Sequence, residues 1–596
     1  MRLVVYRSAT ILTLILICSG CASKAPAPAA NPETDFRPVY QSFFTGKSTY
    51  DHFYENAGNS DPLTERIAGG IVSHHLLVGN AFARFYQALR TQTPSTVVII
   101  GPNHFEQGKG AILTADGRYD TPYGSVPIDG ALVQSLVASR LVSLDREPFI
   151  REHSISAEVA FIARTWPKAT IVPIILKMNV TQEESEKLGS LLSTILPQDA
   201  LVLASVDFSH YQPEIVADFH DQTSLAAIRS FDLPRVMKLE IDSPASIATL
   251  LTYHRERGAQ KILYSEHTNS ASFTGHPEIP ETTSHFFLAF GQGPAVHPMS
   301  ISTLFMGDAI FGRGIEGRFR TEKTHLLDAL AGNEDRFLQG NDLSILNLEG
   351  PITTAPAAKN ALVHFAFKES IALPLLKRLH VTAVFTANNH WMDSGETGTH
   401  ETLSALQTLH IAAIGNPSPC IEKTIDRATI GLCAFDDTND RLDEDSALKT
   451  VQSERAAVDR LIVSLHWGKE GESQPTERQR RMAHTFIDAG ADAIIGHHPH
   501  VVQPLEIYHG APILYSLGNL LFDQEDPALS SGLAAGLVFH ENETVLYLYP
   551  LHTTSGIPQM FNADERKEFF ARYLKSSGDF KTDSLEGKLL SPRNGQ

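Results

Sequence analysis

Two rhythms of apolar residues alternate along most of this chain. Short β-branched or apolar runs, such as 96–100 and 201–205, read as strands, while 80–90 and 181–196 carry apolar residues at helical spacing. The two kinds alternate from residue 67 to residue 293, which predicts a sheet with helices over its faces. Pro294, His297 and Pro298 interrupt the pattern and a fresh strand begins at Ile301, so a domain boundary is expected near 292–300. Beyond it strands are expected at 302–306, 343–347, 383–386, 460–464, 493–495 and 513–516, with helices at 372–379, 400–409 and 477–489 between them. A charged helix is expected at 563–575, and the polar tail after it receives no element.

The first residues follow a different rule. Arg2 and Arg7 precede an apolar run over 9–18, and Ser19 and Gly20 lead into Cys21, the layout of an export signal. It resembles a bacterial lipoprotein signal, in which Cys21 becomes the lipidated first residue of the mature chain; Cys18 stands where a leucine is usual. The alternative is an uncleaved membrane anchor, although the run is short for a hydrocarbon layer of ~30 Å. An Ala- and Pro-rich stretch with Pro26, Pro28 and Pro32 then suits an extended tether. The expected plan is a signal at 1–20, a tether at 21–36, a first domain at 37–293, a second at 300–552, and a helix with a polar tail at 553–596. The protein is expected outside the cytoplasm, held to the bacterial envelope membrane by its N-terminal lipid.

Length and charge agree with this plan. At 596 residues the chain exceeds what one core organises, so two large domains are expected. A net charge of -19 with no cluster of Lys and Arg argues against a nucleic-acid partner. Cys420 and Cys433 stand close enough in sequence for a disulfide in an oxidising compartment, the alternative being small core residues.

In the second half, predicted strands run out into metal-binding side chains. The strand ends carry Gly307 and Asp308; Asn347 and Glu349; Asn388, Asn389 and His390; His466, Trp467 and Gly468; and Gly496, His497, His498, Pro499 and His500. Ligands collect at the carboxyl ends of strands in open α/β sheets, so residues far apart in sequence can share one site. Carboxylates, imidazoles and an amide oxygen suit Zn, Mn or Fe. Their order, together with Ser516, Leu517, Gly518 and Asn519, resembles the CapA family of capsule and poly-γ-glutamate synthesis proteins, whose fold is similar to the calcineurin-like metallophosphatases. The resemblance implies that Asp308, Glu349, Asn389, His466, His498 and His500 hold two divalent ions, with Glu349 bridging them. It also implies that His390 is the proton donor to the leaving oxygen; Asp393, one helical turn on, is placed to tune it, and His497 reads as a supporting or structural residue because the alternating pair His498 and His500 fits the ligand spacing better. Two positions depart from generic metallophosphatases: Ile310 replaces a histidine, and Glu349 replaces an aspartate.

A second constellation lies in the first half, at 70–75, 101–104, 152–154 and 207–211, each near a predicted strand end. With Thr121, Pro122, Tyr123 and Gly124, the phrases Gly101-Pro102-Asn103-His104 and Asp207-Phe208-Ser209-His210-Tyr211 resemble the Memo-like family, also called AmmeMemoRadiSam system protein B. That fold is similar to class III extradiol dioxygenases. The resemblance implies His74 and His104 as ligands to iron or copper, with His153 and His210 lining the same pocket. The family's cysteine falls near 264–270, where this chain has Ser270, and Glu266 or His267 are the substitutes within reach in sequence.

The expected fold class is therefore α/β in two domains, a Memo or extradiol-dioxygenase-like domain followed by a metallophosphatase-like sandwich. The leading functional reading is an envelope-anchored, metal-dependent phosphoesterase-type domain in capsule or poly-γ-glutamate-like polymer synthesis, working with that polymer or its machinery. Two others stand beside it: a non-catalytic lipoprotein binding metal or polymer, and a redox Memo-like domain with the second domain as accessory.

Overall fold

In the computed structural model of the chain, which describes residues 38–276, 279–358, 363–438, 441–524, 526, 529–577 and 587–592, strand Ser300–Ala309 sorts its side chains by parity. Ile301 and Phe305 enter an apolar layer shared with Ile430, Ile462 and Ile495 of a second sheet, while Leu304 and Met306 face the other way. The same split separates Ile345 from Leu346 and Leu348, and Ile462 from Leu461 and Val463. The second domain is thus two sheets face to face, each covered outside by helices. Ile315, Leu375 and Leu406 bring helices Arg313–Glu322, Glu369–Arg378 and Gly395–Thr408 onto one sheet; Val451 and Phe486 bring Glu444–Arg455 and Glu477–Asp488 onto the other.

Strand polarity places the site. In one sheet Ala412–Ile414, Ala383–Phe385, Leu343–Leu348 and Ser300–Ala309 run parallel; in the other Ala428–Asp436, Arg460–His466, Ala493–His497 and Ala511–Leu514 do. Gly307 has no room for a side chain, since a Cβ there would lie 2.2 Å from the Gly518 carbonyl oxygen. That closeness lets strand Asn519–Leu521 pair beside Asp308. Cys420 and Cys433 face each other in register on neighbouring strands and are joined by a disulfide. The helix expected near 563–575 spans Ala563–Ser577, and the tail left without an element returns as strand Lys588–Pro592 against Glu543–Thr554. Its partner strand lies far upstream, so nothing local in the sequence announces the pairing.

The first domain is built on four parallel strands, Ile67–Val72, Leu201–Ser205, Thr96–Pro102 and Thr170–Leu176, side by side in that order. Their nearly unbroken apolar runs are what burial on both faces requires. Strand Thr282–Gly291 closes one edge antiparallel and carries Lys261–Asn269 beyond it. Helix Glu214–Ser230 belongs to both domains: Ala227 and Ile228 pack in the first core, while Ile215, Val216 and Phe219 pack in the second. Phe219 lies over Gly536, where a Cβ would approach its ring to 2.9 Å. The signal, the tether and Cys21 lie outside the described residues, and no helix among those described is long and apolar enough to cross a membrane.

Candidate metal centres

In the second domain the strand ends bring Asp308, Glu349, Asn389, His390, His466, His498 and His500 to one place. Asp308 and Glu349 are fully buried, and their carboxyl oxygens and a ring nitrogen of His500 lie within 4.8 Å of one another. Asp308 Oδ1 is 3.0 Å from His497 Nδ1 and accepts the Asn347 amide at 2.8 Å. Its Oδ2 lies 3.3 Å from His500 Nδ1, and His500 Nε2 is 3.4 Å from Glu349. His466 Nε2 meets the Asn389 amide oxygen at 2.8 Å, and the rings of His466 and His498 are 4.8 Å apart. His498 and His500 both hold positive φ, +93° and +58°. That backbone costs ~1–3 kcal/mol per non-glycine residue, and it persists where packing dictates it, as at functional turns.

Electrostatics follow from burial. It pushes the Asp308 carboxyl up, but hydrogen bonds from His497 and His500 outweigh it and hold the group well below the usual carboxylate range. Burial raises Glu349 and lowers His498 to about 4, which keeps that imidazole neutral with a lone pair to donate. His390 stands at the edge with Nδ1 2.8 Å from Asp393 Oδ2 and its ring 4.2 Å from Phe365. The exposed Arg313 guanidinium sits 5.6 Å over that same Phe365 ring and 3.2 Å from Asp523. Ile310 packs in the apolar layer under the helices, so the position of the absent histidine contributes core, not donor.

In the first domain His74 lies at the centre. Its Nε2 is 3.1 Å from Asp242 and 3.4 Å from Asp207, and its ring is 4.9 Å from His104 and 5.2 Å from His153. His104 bonds Glu152 at 2.7 Å through Nδ1, lies 3.8 Å from Asp242 through Nε2, and stacks on His153 at 4.0 Å. Burial pushes His74 down, yet Asp207 and Asp242 outweigh it and raise it to about 10; burial lowers His153 to about 4. His210 is half-buried, with its Nδ1 atom buried and without a partner among the described residues. The segment 264–270 does not join this group. The strand sends Glu266 to Arg84 at 3.0 Å and His267 to Asp221 at 2.8 Å, and Ser270 meets His285 at 3.4 Å. Asp242, from the loop before helix Pro244–Glu256, brings a carboxylate beside His74 and Asp207.

The profile of the family described as "Bacterial capsule synthesis protein PGA_cap" matches residues 302–524, and that of "Memo-like protein" matches 48–278. "PGA biosynthesis protein CapA" of Bacillus subtilis is 32% identical over 314 residues, covering 48% of this chain and 81% of its own length. A "MEMO1 family protein" of Caldivirga maquilingensis is 33% identical over 208 residues, covering 33% of this chain and 72% of its own. The chain belongs to both families, a Memo-like domain fused to a CapA domain. "Capsule biosynthesis protein CapA" of Bacillus anthracis is also similar, at 26% identity over 324 residues.

Both domains fit metal on their own donor chemistry. Among the described residues His497 Nε2 and His498 Nδ1 of the CapA domain are buried without a hydrogen-bond partner, Glu349 Oε1 has only His500 at 3.4 Å, and in the Memo-like domain Asp242 Oδ1 is without one. Buried polar atoms in folded proteins almost always find partners, so such clusters of open lone pairs point to a cation. Asp242, Arg313 and Phe365 escaped the sequence reading. Asp242 has no strand-end phrase around it, and Phe365 reaches His390 only because its own backbone N–H bonds Asp393 at 2.8 Å.

Proposed function

We propose that the CapA domain is a metal-dependent phosphoesterase-type hydrolase or transferase acting in capsule or poly-γ-glutamate-like polymer metabolism, on a protein exported and lipid-anchored through Cys21. The reading is carried by the convergence of Asp308, Glu349 and His500 within 4.8 Å, with His497 Nε2 and His498 Nδ1 buried beside them and without a hydrogen-bond partner among the described residues. Two divalent cations at such a site supply a water acidified to near neutral pH and neutralise charge on the transferred group. Asp308, Glu349, Asn389, His466, His498 and His500 are the residues that hold them. His390, with Nδ1 on Asp393, presents Nε2 as the proton donor to the leaving oxygen. Arg313 beside it holds negative charge on the substrate. The polymer assignment comes from the names of the Bacillus relatives. The Cys420–Cys433 disulfide supports an oxidising compartment.

The decisive experiment measures bound metal and turnover of a p-nitrophenyl phosphodiester by the purified protein, its Asn389→Ala variant and its His466→Ala variant. Two Mn or Zn ions per chain, with turnover lost in either variant, support the reading. Metal-free protein without turnover sinks it and leaves a binding lipoprotein.

The Memo-like domain, in this proposal, holds one iron or copper ion on His74, His104 and Asp242, with His153 and His210 beside it.

A further inference from the structure

The loop carrying Asp242 is gripped by the other domain. Arg336 of the CapA domain pairs with Glu240 at 2.5 Å, and Glu240 is 2% exposed. Gly340, at φ +73°, packs so closely that a Cβ there would lie 3.0 Å from Glu240 Cβ and 3.2 Å from its backbone nitrogen. Asp342 takes Arg235 in a two-pronged ion pair, 2.7 Å on each side, at the far end of the same contact.

Glu240 passes this grip into the Memo-like centre by two routes. Its carboxylate oxygens accept the His210 backbone N–H at 3.2 and 3.4 Å and lie 3.5 Å from His220 Nδ1. Two residues along the chain, Asp242 Oδ2 accepts the Asp207 N–H at 3.2 Å and approaches His74 Nε2 at 3.1 Å. Beside the loop opens a cleft of about 530 Å³ whose wall includes Met178, Met237 and Asp242 from one domain and Gln339, Asn341 and His380 from the other. An uncompensated Glu240 carboxylate at this depth would be costly, and His220 from its own domain and the Arg336 guanidinium from the other share its compensation.

We propose that the Memo-like centre is a composite site, in which Arg336 of the CapA domain is a positioning residue for Asp242 and His210. The inference rests on the reading that His74, His104 and Asp242 hold a metal. Groups that fix the orientation of metal-binding side chains are worth ~10–100-fold in metal affinity. A stand-alone Memo-like domain would lack this support, so its metal site would be looser than the one in the fusion.

The test titrates Co²⁺ into the full-length protein, with His104→Ala assigning the visible absorption of the Memo-like centre, and follows backbone hydrogen exchange in parallel. Arg336→Met is expected to weaken Co²⁺ at that centre by about tenfold or more and to shift its absorption band, with uptake at the CapA centre unchanged. Exchange should quicken at the His210 amide and over 239–243, and Arg336→Lys should restore most of both signals. If Arg336→Met disrupts folding, the near-isosteric Glu240→Gln carries the same expectations. Wild-type affinity, band position and exchange in a folded variant overturn the proposal. Faster exchange in a protein that takes up no Co²⁺ at the Memo-like centre overturns the metal reading and leaves the positioning role standing.

Discussion

The two centres draw on the same side chains but differ in how many imidazole nitrogens they leave open. In the CapA domain His497 Nε2 and His498 Nδ1 are buried with no hydrogen-bond partner among the described residues and Glu349 Oε1 has only His500 at 3.4 Å, whereas in the Memo-like domain His74 lies between two aspartates and His104 rests on Glu152. Each open buried polar atom costs ~1–3 kcal/mol, so the first arrangement stands because something else relieves it. The second is close to a self-sufficient ion-pair network, with Asp242 Oδ1 and His210 Nδ1 as its open atoms. Metal should therefore bind the CapA centre more tightly. At both centres a cation must compete with a proton, shared by His74 with Asp207 and Asp242 in one and by His500 with Asp308 and Glu349 in the other.

The largest expected effect is at Asp308. Asp308→Asn keeps the shape and removes the charge facing His497 and His500; phosphodiester turnover should fall by ~10³-fold or more, with loss of bound metal seen by elemental analysis. Retained metal and turnover would remove the CapA centre from the comparison. His390→Ala comes next, with a loss of ~10²–10³-fold in kcat and unchanged metal content. The loss should shrink to about tenfold for a p-nitrophenolate leaving group, which departs without a proton. An equal loss for all leaving groups would mean that His390 binds rather than donates.

The difference between the centres also explains what the sequence disclosed. Asp308, Glu349, Asn389, His466, His498 and His500 each close a strand or the turn just after it, so parallel polarity alone carries them to one end of the sandwich. Both domains were legible for the same reason, as alternations of buried runs and amphipathic helices. The extra carboxylate of the Memo-like centre was not. The resemblance to the Memo-like family pointed to 264–270, but the structure turns Glu266 toward Arg84 and His267 toward Asp221. Asp242 arrives from a loop whose position depends on contacts with the other domain, and no local pattern encodes that.

Asp242→Asn sharpens the contrast from the other side. It removes one of two carboxylates on His74, so iron or copper uptake should weaken by ~10–100-fold while Asp207 keeps the pocket folded. The loss should be smaller than that of Asp308→Asn at its own centre, measured by competition with a chelator. Equal losses would show that the pairing of His74 does not weaken its site.

The smallest effect separates the two domains by acid sensitivity. His254 of the Memo-like domain is fully buried against Phe290 with neither ring nitrogen bonded among the described residues, and burial alone lowers it to about 3. In the folded chain it stays neutral, while in the unfolded chain it takes a proton near pH 6.5. The unfolded state thus binds more protons below that value, and stability present above about pH 6.5 is lost as the pH falls toward 3. The slope is ~1.4 kcal/mol per pH unit, or about 2 kcal/mol by pH 5. His254→Leu keeps the apolar contacts and removes the titration, so denaturant unfolding of the variant should lose that much less stability between pH 7 and pH 5. An unchanged pH slope would mean that His254 finds water or a partner on the way to unfolding, and that acid loosens the fold through the carboxylate clusters of the two centres instead.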